Sequence, residues 1–202
     1  MLAGDDYGVD AVRYFVLREL PFGSDGDFSR RAIVSRINGD LANGLGNLAQ
    51  RVLSMINRNC DGAVPKPGAF TPADETLLAA ARELLARQRA AYGEQAFHRA
   101  LEGLWDVVAA ADRYVDEMAP WSLRKTDTAR MGTVLYVLAE VIRHLAILVQ
   151  PVVPSAAGKL LDQLAQPAGA RDFAALARPV EPGTTLPKPE GVFPRYVEAE
   201  KA

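Results

Sequence analysis

A chain of 202 residues, 49 % of them hydrophobic, is long enough to bury a core without covalent staples. Its single cysteine, Cys60, excludes an intramolecular disulfide and a thiolate zinc cluster, and points to a reducing cytosol. A net charge of −2 argues against holding nucleic acid by a general coat of positive charge, so any RNA has to meet a local patch where base contacts do the selecting.

No stretch reaches ~18 uninterrupted apolar residues, the usual length of a membrane span. The N-terminal run Met1-Leu2-Ala3-Gly4-Asp5-Asp6 lacks the basic and apolar regions of a signal peptide. The first periodic segment, Val9 to Leu20, reads as a short helix with Asp10 near its exposed N–H groups. Turn residues from Pro21 to Asp27 break it, and Ser29 is placed to cap the next helix.

From Arg30 to Asn59, Ile33, Ile37, Leu41, Leu45, Leu48, Val52, Met55 and Ile56 recur at three- and four-residue steps and share one face. Gly39, Gly44 and Gly46 weaken this segment by about 1 kcal/mol each relative to alanine, which predicts a kink or break. A loop follows around Pro65 and Pro67. Thr71-Pro72-Ala73-Asp74 then combines a cap, a first-turn proline and an acid to start a helix running to about Tyr92. Another, from near Glu94, carries Phe97, Leu101, Leu104, Trp105, Val108 and Val115 inward until Pro120 stops it. Thr126 or Asp127 caps a third, from about Ala129 to Gln150, and Ser155 to Leu164 forms one more. Beyond Arg171 the prolines at 179, 182, 187, 189 and 194 rule out a helix and leave an extended strap. The fold class is therefore all-α, an antiparallel helix bundle with a proline-rich C-terminal strap.

Chemistry is sparse. The sequence holds no glycine-rich phosphate loop, no H-E-x-x-H and no G-x-S-x-G. Its two histidines, His98 and His144, lie in strongly helical segments and read as packing or surface residues, and Trp105 reads as core. No residue is a candidate for catalysis or for binding a metal.

Two features bear on binding. At ~100° per residue, Asp40, Asn43, Asn47, Arg51, Ser54 and Arg58 form a narrow polar stripe. Asn47 and Arg51, four apart, project side by side. An amide and a guanidinium there can read base edges, and the same spacing also fits an ordinary solvated face. In Ala119-Pro120-Trp121, proline holds an indole just past a helix end. That indole either stacks on an unpaired base or wedges into the core.

Asp40-Leu41-Ala42-Asn43-Gly44-Leu45-Gly46-Asn47-Leu48-Ala49-Gln50-Arg51 resembles the anticodon helix of the methionyl-tRNA synthetase family. Tyr114-Val115-Asp116-Glu117-Met118-Ala119-Pro120-Trp121 is similar to that family's second anticodon element. Residues Gly8 to Phe15 with Leu17-Arg18-Glu19 resemble the stretch after the lysine-rich signature loop of class I tRNA synthetases, and Gly191-Val192-Phe193-Pro194-Arg195 resembles the end of short bacterial members.

The resemblance implies a helix bundle of the class I anticodon-binding type over residues 29–166, a remnant of the stem-contact region over 1–28 and the strap over 167–202. It implies that Asn47 and Arg51 contact anticodon bases and that Trp121, set by Pro120, stacks on the first of them, with Asp116 in support. Asp10 and Arg13 fall where the family links its catalytic domain to the bundle and touches the inner side of the tRNA L. Asp112 departs from the asparagine of many relatives and cannot donate a hydrogen bond as that amide does. The implied partners are methionine tRNA and the family's own catalytic domain, with no membrane and a cytoplasmic location. Neither H-I-G-H nor K-M-S-K-S occurs. The expectation is a chain that recognises and does not catalyse, with no cofactor of its own, ATP and magnesium belonging to the family's nucleotide-binding domain. Two alternatives stay open: the bundle of another class I synthetase, or a helical protein–protein module.

Overall fold

In the computed structural model, residues 7–21, 23 and 28–197 are described. Helix α1 (Val9–Glu19) buries Ala11, Tyr14 and Phe15. Most of the turn expected at 21–27 lies outside the described residues. Ser29 caps α2 (Arg30–Arg36), its Oγ accepting from the Ala32 N–H at 3.2 Å.

The glycines do not kink the next helix. From Ile37 to Gly46 it widens into a π-helix, then continues as α3 (Asn47–Asn59), with helical dihedrals at both joints. A Cβ on Gly46 would stand 2.9 Å from the Leu41 carbonyl and 3.3 Å from Phe193, so only glycine admits this close approach. Along this stretch a side chain also reaches the backbone: Trp105 Nε1 donates to the Asp40 carbonyl at 3.1 Å. Trp105, expected in the core, is half-buried at the rim, its ring 4.6 Å from that of Tyr14. The anticipated apolar face from Ile33 to Ile56 is buried, with Met55 half-buried.

Helix α4 (Pro72–Gly93) begins as anticipated, the Asp74 carboxylate accepting from the Thr71 N–H at 2.8 Å. Helix α5 (Phe97–Met118) starts later than Glu94, because Gln95 takes a left-handed φ of 57° and turns the chain. Pro120 does more than stop α5. Ala119 adopts φ 42°, and Pro120 opens a further short helix, α6 (Pro120–Thr126), at the one position where a missing N–H costs nothing. Asp127, rather than Thr126, caps α7 (Thr128–Val149), accepting from the Arg130 N–H at 2.9 Å.

Helix α7 is the axle of the bundle, with α3, α4, α5, α6 and α8 (Pro154–Gln163) packed around it. Every residue from Met131 to Val149 is buried. By length and composition α7 is apolar enough to cross a membrane, but its most apolar window is 100 % buried, as befits a core helix. Asp10 serves this region instead of its own helix, accepting from the Ala156 N–H in the first turn of α8 at 2.7 Å. Arg13 completes the staple with bonds to the carbonyls of Pro151 and Val152 at 2.6 and 3.1 Å.

The strap is extended except for two 3₁₀ turns, Ala168–Ala170 and Phe173–Ala177. The second breaks the expectation of no helix past Arg171. Asp172 caps it, accepting from the Ala175 N–H at 2.9 Å, and it ends before the first proline. Further on, the strap pairs with the loop after α3 through Val64–Thr184 and Gly62–Leu186 backbone bonds, and the Asn38 amide exchanges two bonds with the Tyr196 backbone. Beneath it lies a buried network. Arg143, 1 % exposed, donates to Glu140 at 2.6 and 2.9 Å and to the Ala175 carbonyl at 3.0 Å. Glu140 also meets His144 at 3.1 Å and accepts from the Val180 N–H at 2.9 Å.

Candidate nucleic-acid interface

The polar stripe divides along its length. Its first part is engaged within the chain: Asp40 accepts from the Tyr14 hydroxyl at 2.7 Å and Arg36 at 3.2 Å, while the exposed Asn43 accepts from Arg195 of the strap. From Asn47 onward the stripe faces outward, toward the corner where α5 turns into α6.

That corner is built by local rules. A left-handed Ala119 reverses the chain, Pro120 fixes the first turn of α6, and Trp121 follows at the mouth of a groove. Of the two positions open to the indole, the structure takes the outer: Trp121 is 45 % exposed. The guanidinium carbon of Arg51 lies 5.8 Å from its ring centre, within cation–π range. Arg51 Nη2 also donates to Asp116 at 2.9 Å, and its Nη1 stands 3.6 Å from Asp112. Burial pushes the Asp112 carboxyl above its usual range; Arg51 opposes that rise and Asp116 adds to it. One Asp112 oxygen is buried without a hydrogen-bond donor.

Beside these residues runs a groove of about 420 Å³. Val52, Met55, Val115, Leu135 and Leu138 give it an apolar floor, Pro120 and Trp121 a wall, and Gln50, Arg51, Ser54 and Arg58 a polar margin. Behind the corner a buried carboxylate fixes its base. Asp74, 0 % exposed, accepts from Tyr114 at 2.5 Å and from Arg130 at 2.6 and 2.7 Å, and Arg130 also touches the Met118 sulfur at 3.4 Å. Burial works against the ionised form, yet the Arg130 and Tyr114 bonds hold the Asp74 carboxyl down at about 2.

Thus Arg51, Asp116, Pro120 and Trp121 come together. Asn47 sits one turn nearer the start of α3, exposed and outside the groove lining. Asp10 and Arg13 do not join them: their staple lies past the C-terminal end of α7, roughly 16 Å along the axis beyond Leu138 of the groove at the helical rise. Sequence reasoning missed Gln50. It lies just off the stripe, and nothing in its spacing marks it out. Among the described residues no three His, Cys, Asp or Glu side chains gather to hold a metal.

Residues 64–202 match the family described as the anticodon binding domain of methionyl tRNA ligase, and residues 2–53 match tRNA synthetases class I (M). A methionine–tRNA ligase of Brucella melitensis is 58 % identical over 196 residues, which cover 96 % of this chain and 38 % of that protein. One from Mycobacterium tuberculosis is 55 % identical over 193 residues, 94 % of this chain and 37 % of its own length. The crystal structure of the apo, free-state methionyl-tRNA synthetase of M. tuberculosis superposes with a TM-score of 0.95 at 53 % identity, over 97 % of this chain and 40 % of that one. The chain therefore spans under two-fifths of the length of these curated relatives.

Proposed function

The chain belongs to the methionyl-tRNA ligase family through its anticodon-binding domain, and from that premise we propose that it recognises the CAU anticodon of methionine tRNA in the cytoplasm. The observation that carries this reading is the half-exposed Trp121 indole, held against Arg51 at the mouth of an apolar-floored groove. Bases of a single-stranded loop splay outward and are recognised by stacking and by hydrogen bonds to their edges. Trp121 offers the stacking plane and Pro120 fixes its direction. Arg51, five N–H donors on a planar fork, leaves Asp116 to donate to base acceptors. Asn47, one turn away on the same face, adds an amide that can both donate and accept.

Charge alone does not carry the binding, because Asp112 and Asp116 beside Arg51 offset the two arginines at the margin of the groove. Asp112 and Asp116 hold Arg51 when no RNA is bound, so a base gains the guanidinium only by replacing those contacts. Specificity follows, since only a base with a matching edge repays the Asp112 and Asp116 contacts that Arg51 gives up. Asp10 and Arg13, stapling α1 to the α7–α8 corner, hold the stem-side face rigid with respect to the groove. The ATP-dependent joining of methionine to tRNA falls to the family's catalytic domain, the second partner in this reading.

Binding of RNA stem-loops to the 202-residue chain tests the proposal. The CAU loop should bind more tightly than loops with altered anticodons, and Trp121→Ala should cost about 1–3 kcal/mol of that affinity. In the full-length synthetase, Trp121→Ala and Arg51→Ala should depress aminoacylation and leave methionine-driven ATP–pyrophosphate exchange nearly intact. Equal affinity for CAU and altered loops would refute it.

A further inference from the structure

Beside Arg51 the groove carries a polar group that stacking and guanidinium contacts leave unused. Gln50 lines it one residue earlier on α3. Its Nε2 donates to Ser54 Oγ at 3.2 Å, one turn on, while its Oε1 is buried and meets no donor. A buried acceptor left unpaired carries a desolvation cost that a ligand supplying a donor recovers. The groove has the size of a small-ligand site, where an apolar floor and a few fixed polar atoms set orientation.

We infer that Gln50 is a further specificity-determining residue, whose Oε1 accepts a hydrogen bond from the exocyclic amino group of a base seated in the groove against Trp121. The inference rests on the anticodon reading given above. Arginine has donors only, so Arg51 can engage base acceptors but cannot test for an amino group. Gln50, which lines the groove, supplies the missing acceptor, and the Ser54 bond to its Nε2 leaves that oxygen free for the base to engage. Cytosine and adenine carry an amino donor where uracil and guanine carry a carbonyl oxygen. A carbonyl brought against Oε1 sets two acceptors face to face, so the pair Arg51 and Gln50 selects an edge with both an acceptor and an amino donor. Cytosine has such an edge.

The test titrates the 202-residue chain with CAU stem-loops in which each amino base is replaced by its deaminated counterpart, uracil for cytosine or hypoxanthine for adenine. The unsubstituted chain should bind one of these loops about tenfold more weakly than CAU. Gln50→Leu should bring that ratio close to one at that position alone, with thermal melting to confirm folding. Gln50→Glu keeps an acceptor, so it should weaken every loop by a similar factor and preserve the ratio. A Gln50→Leu chain with the original ratio at every position overturns the inference, as does a Gln50→Glu chain that loses it. If Arg51→Ala still abolishes discrimination in that case, the anticodon reading stands without Gln50. An unsubstituted chain that binds CAU and scrambled loops alike overturns both.

Discussion

Arg143 pairs with Glu140 on its own helix and Arg51 with Asp112 and Asp116 across to α5, and their surroundings give them opposite work. Arg143 is sealed under the strap, with Glu140 and the Ala175 carbonyl taking its donors. Arg51 is about a third exposed, its two acids are 2.9 and 3.6 Å away, and its guanidinium carbon stands 5.8 Å from the Trp121 ring centre. A buried, saturated guanidinium can only hold structure. One at a groove margin, bound by contacts that water and bases can replace, is available to a ligand. The lesson is that enclosure, rather than the presence of an arginine–carboxylate pair, separates the two roles.

The largest expected effect breaks the sealed side. Arg143→Ala leaves Glu140 charged and buried, which should lower unfolding free energy in urea by about 3–5 kcal/mol. The double change Glu140→Leu with Arg143→Met removes both charges and should recover most of it. A small loss from Arg143→Ala would mean that the network is not enclosed.

Acid titration of stability follows in size. Burial alone would raise the Glu140 carboxyl, but the Arg143 and His144 bonds hold it at about 2, against 4.5 for the free group. Asp74 is held at about 2, against 3.8. Both pKa values fall on folding, so the stabilisation is complete above pH ~4.5 and is lost as pH drops toward 2. Glu140 contributes on the order of 3 kcal/mol and Asp74 on the order of 2. Urea midpoints measured from pH 5 to 2 should fall steeply, and the fall should be shallower in Arg143→Ala.

The corner offers a subtler change. Ala119→Gly removes the penalty of a left-handed alanine and should raise stability by about 1 kcal/mol. It also loosens the turn that aims Trp121, so loop affinity should drop a few-fold while thermal stability rises. Both moving in the same direction would count against a strained corner that aims the indole. The smallest expected effect lies at the open margin: Arg51→Ala should alter unfolding free energy by less than about 1 kcal/mol, as exposed ion pairs do. A larger loss would place Arg51 with Arg143 as a structural residue.

What could be read from the sequence follows the same division. Three- and four-residue spacing located the buried face from Ile33 to Ile56 because those side chains answer to one helix's periodicity. The π-helix is hidden from spacing, since two of its three glycines, Gly44 and Gly46, answer to Trp105 and Phe193, distant in sequence. Proline at 120 signalled an end and concealed a beginning, because one residue satisfies both conditions. Spacing does not reveal the Glu140–Arg143–His144 network, because the strap atoms that complete it come more than thirty residues later. Spacing alone left Trp121 undecided between core and surface, and only the left-handed turn at Ala119 settles which way it faces. Gln50 was invisible because what marks it is an unpaired atom, which no pattern of residues records.

Indole fluorescence tests the central claim most directly. With Trp105→Phe the chain keeps Trp121 as its one tryptophan, and a CAU stem-loop is titrated against it. Stacking of a loop base on that ring should quench the emission saturably, and an altered anticodon should need a higher concentration for the same effect. Emission that stays constant while the CAU loop binds would contradict the account.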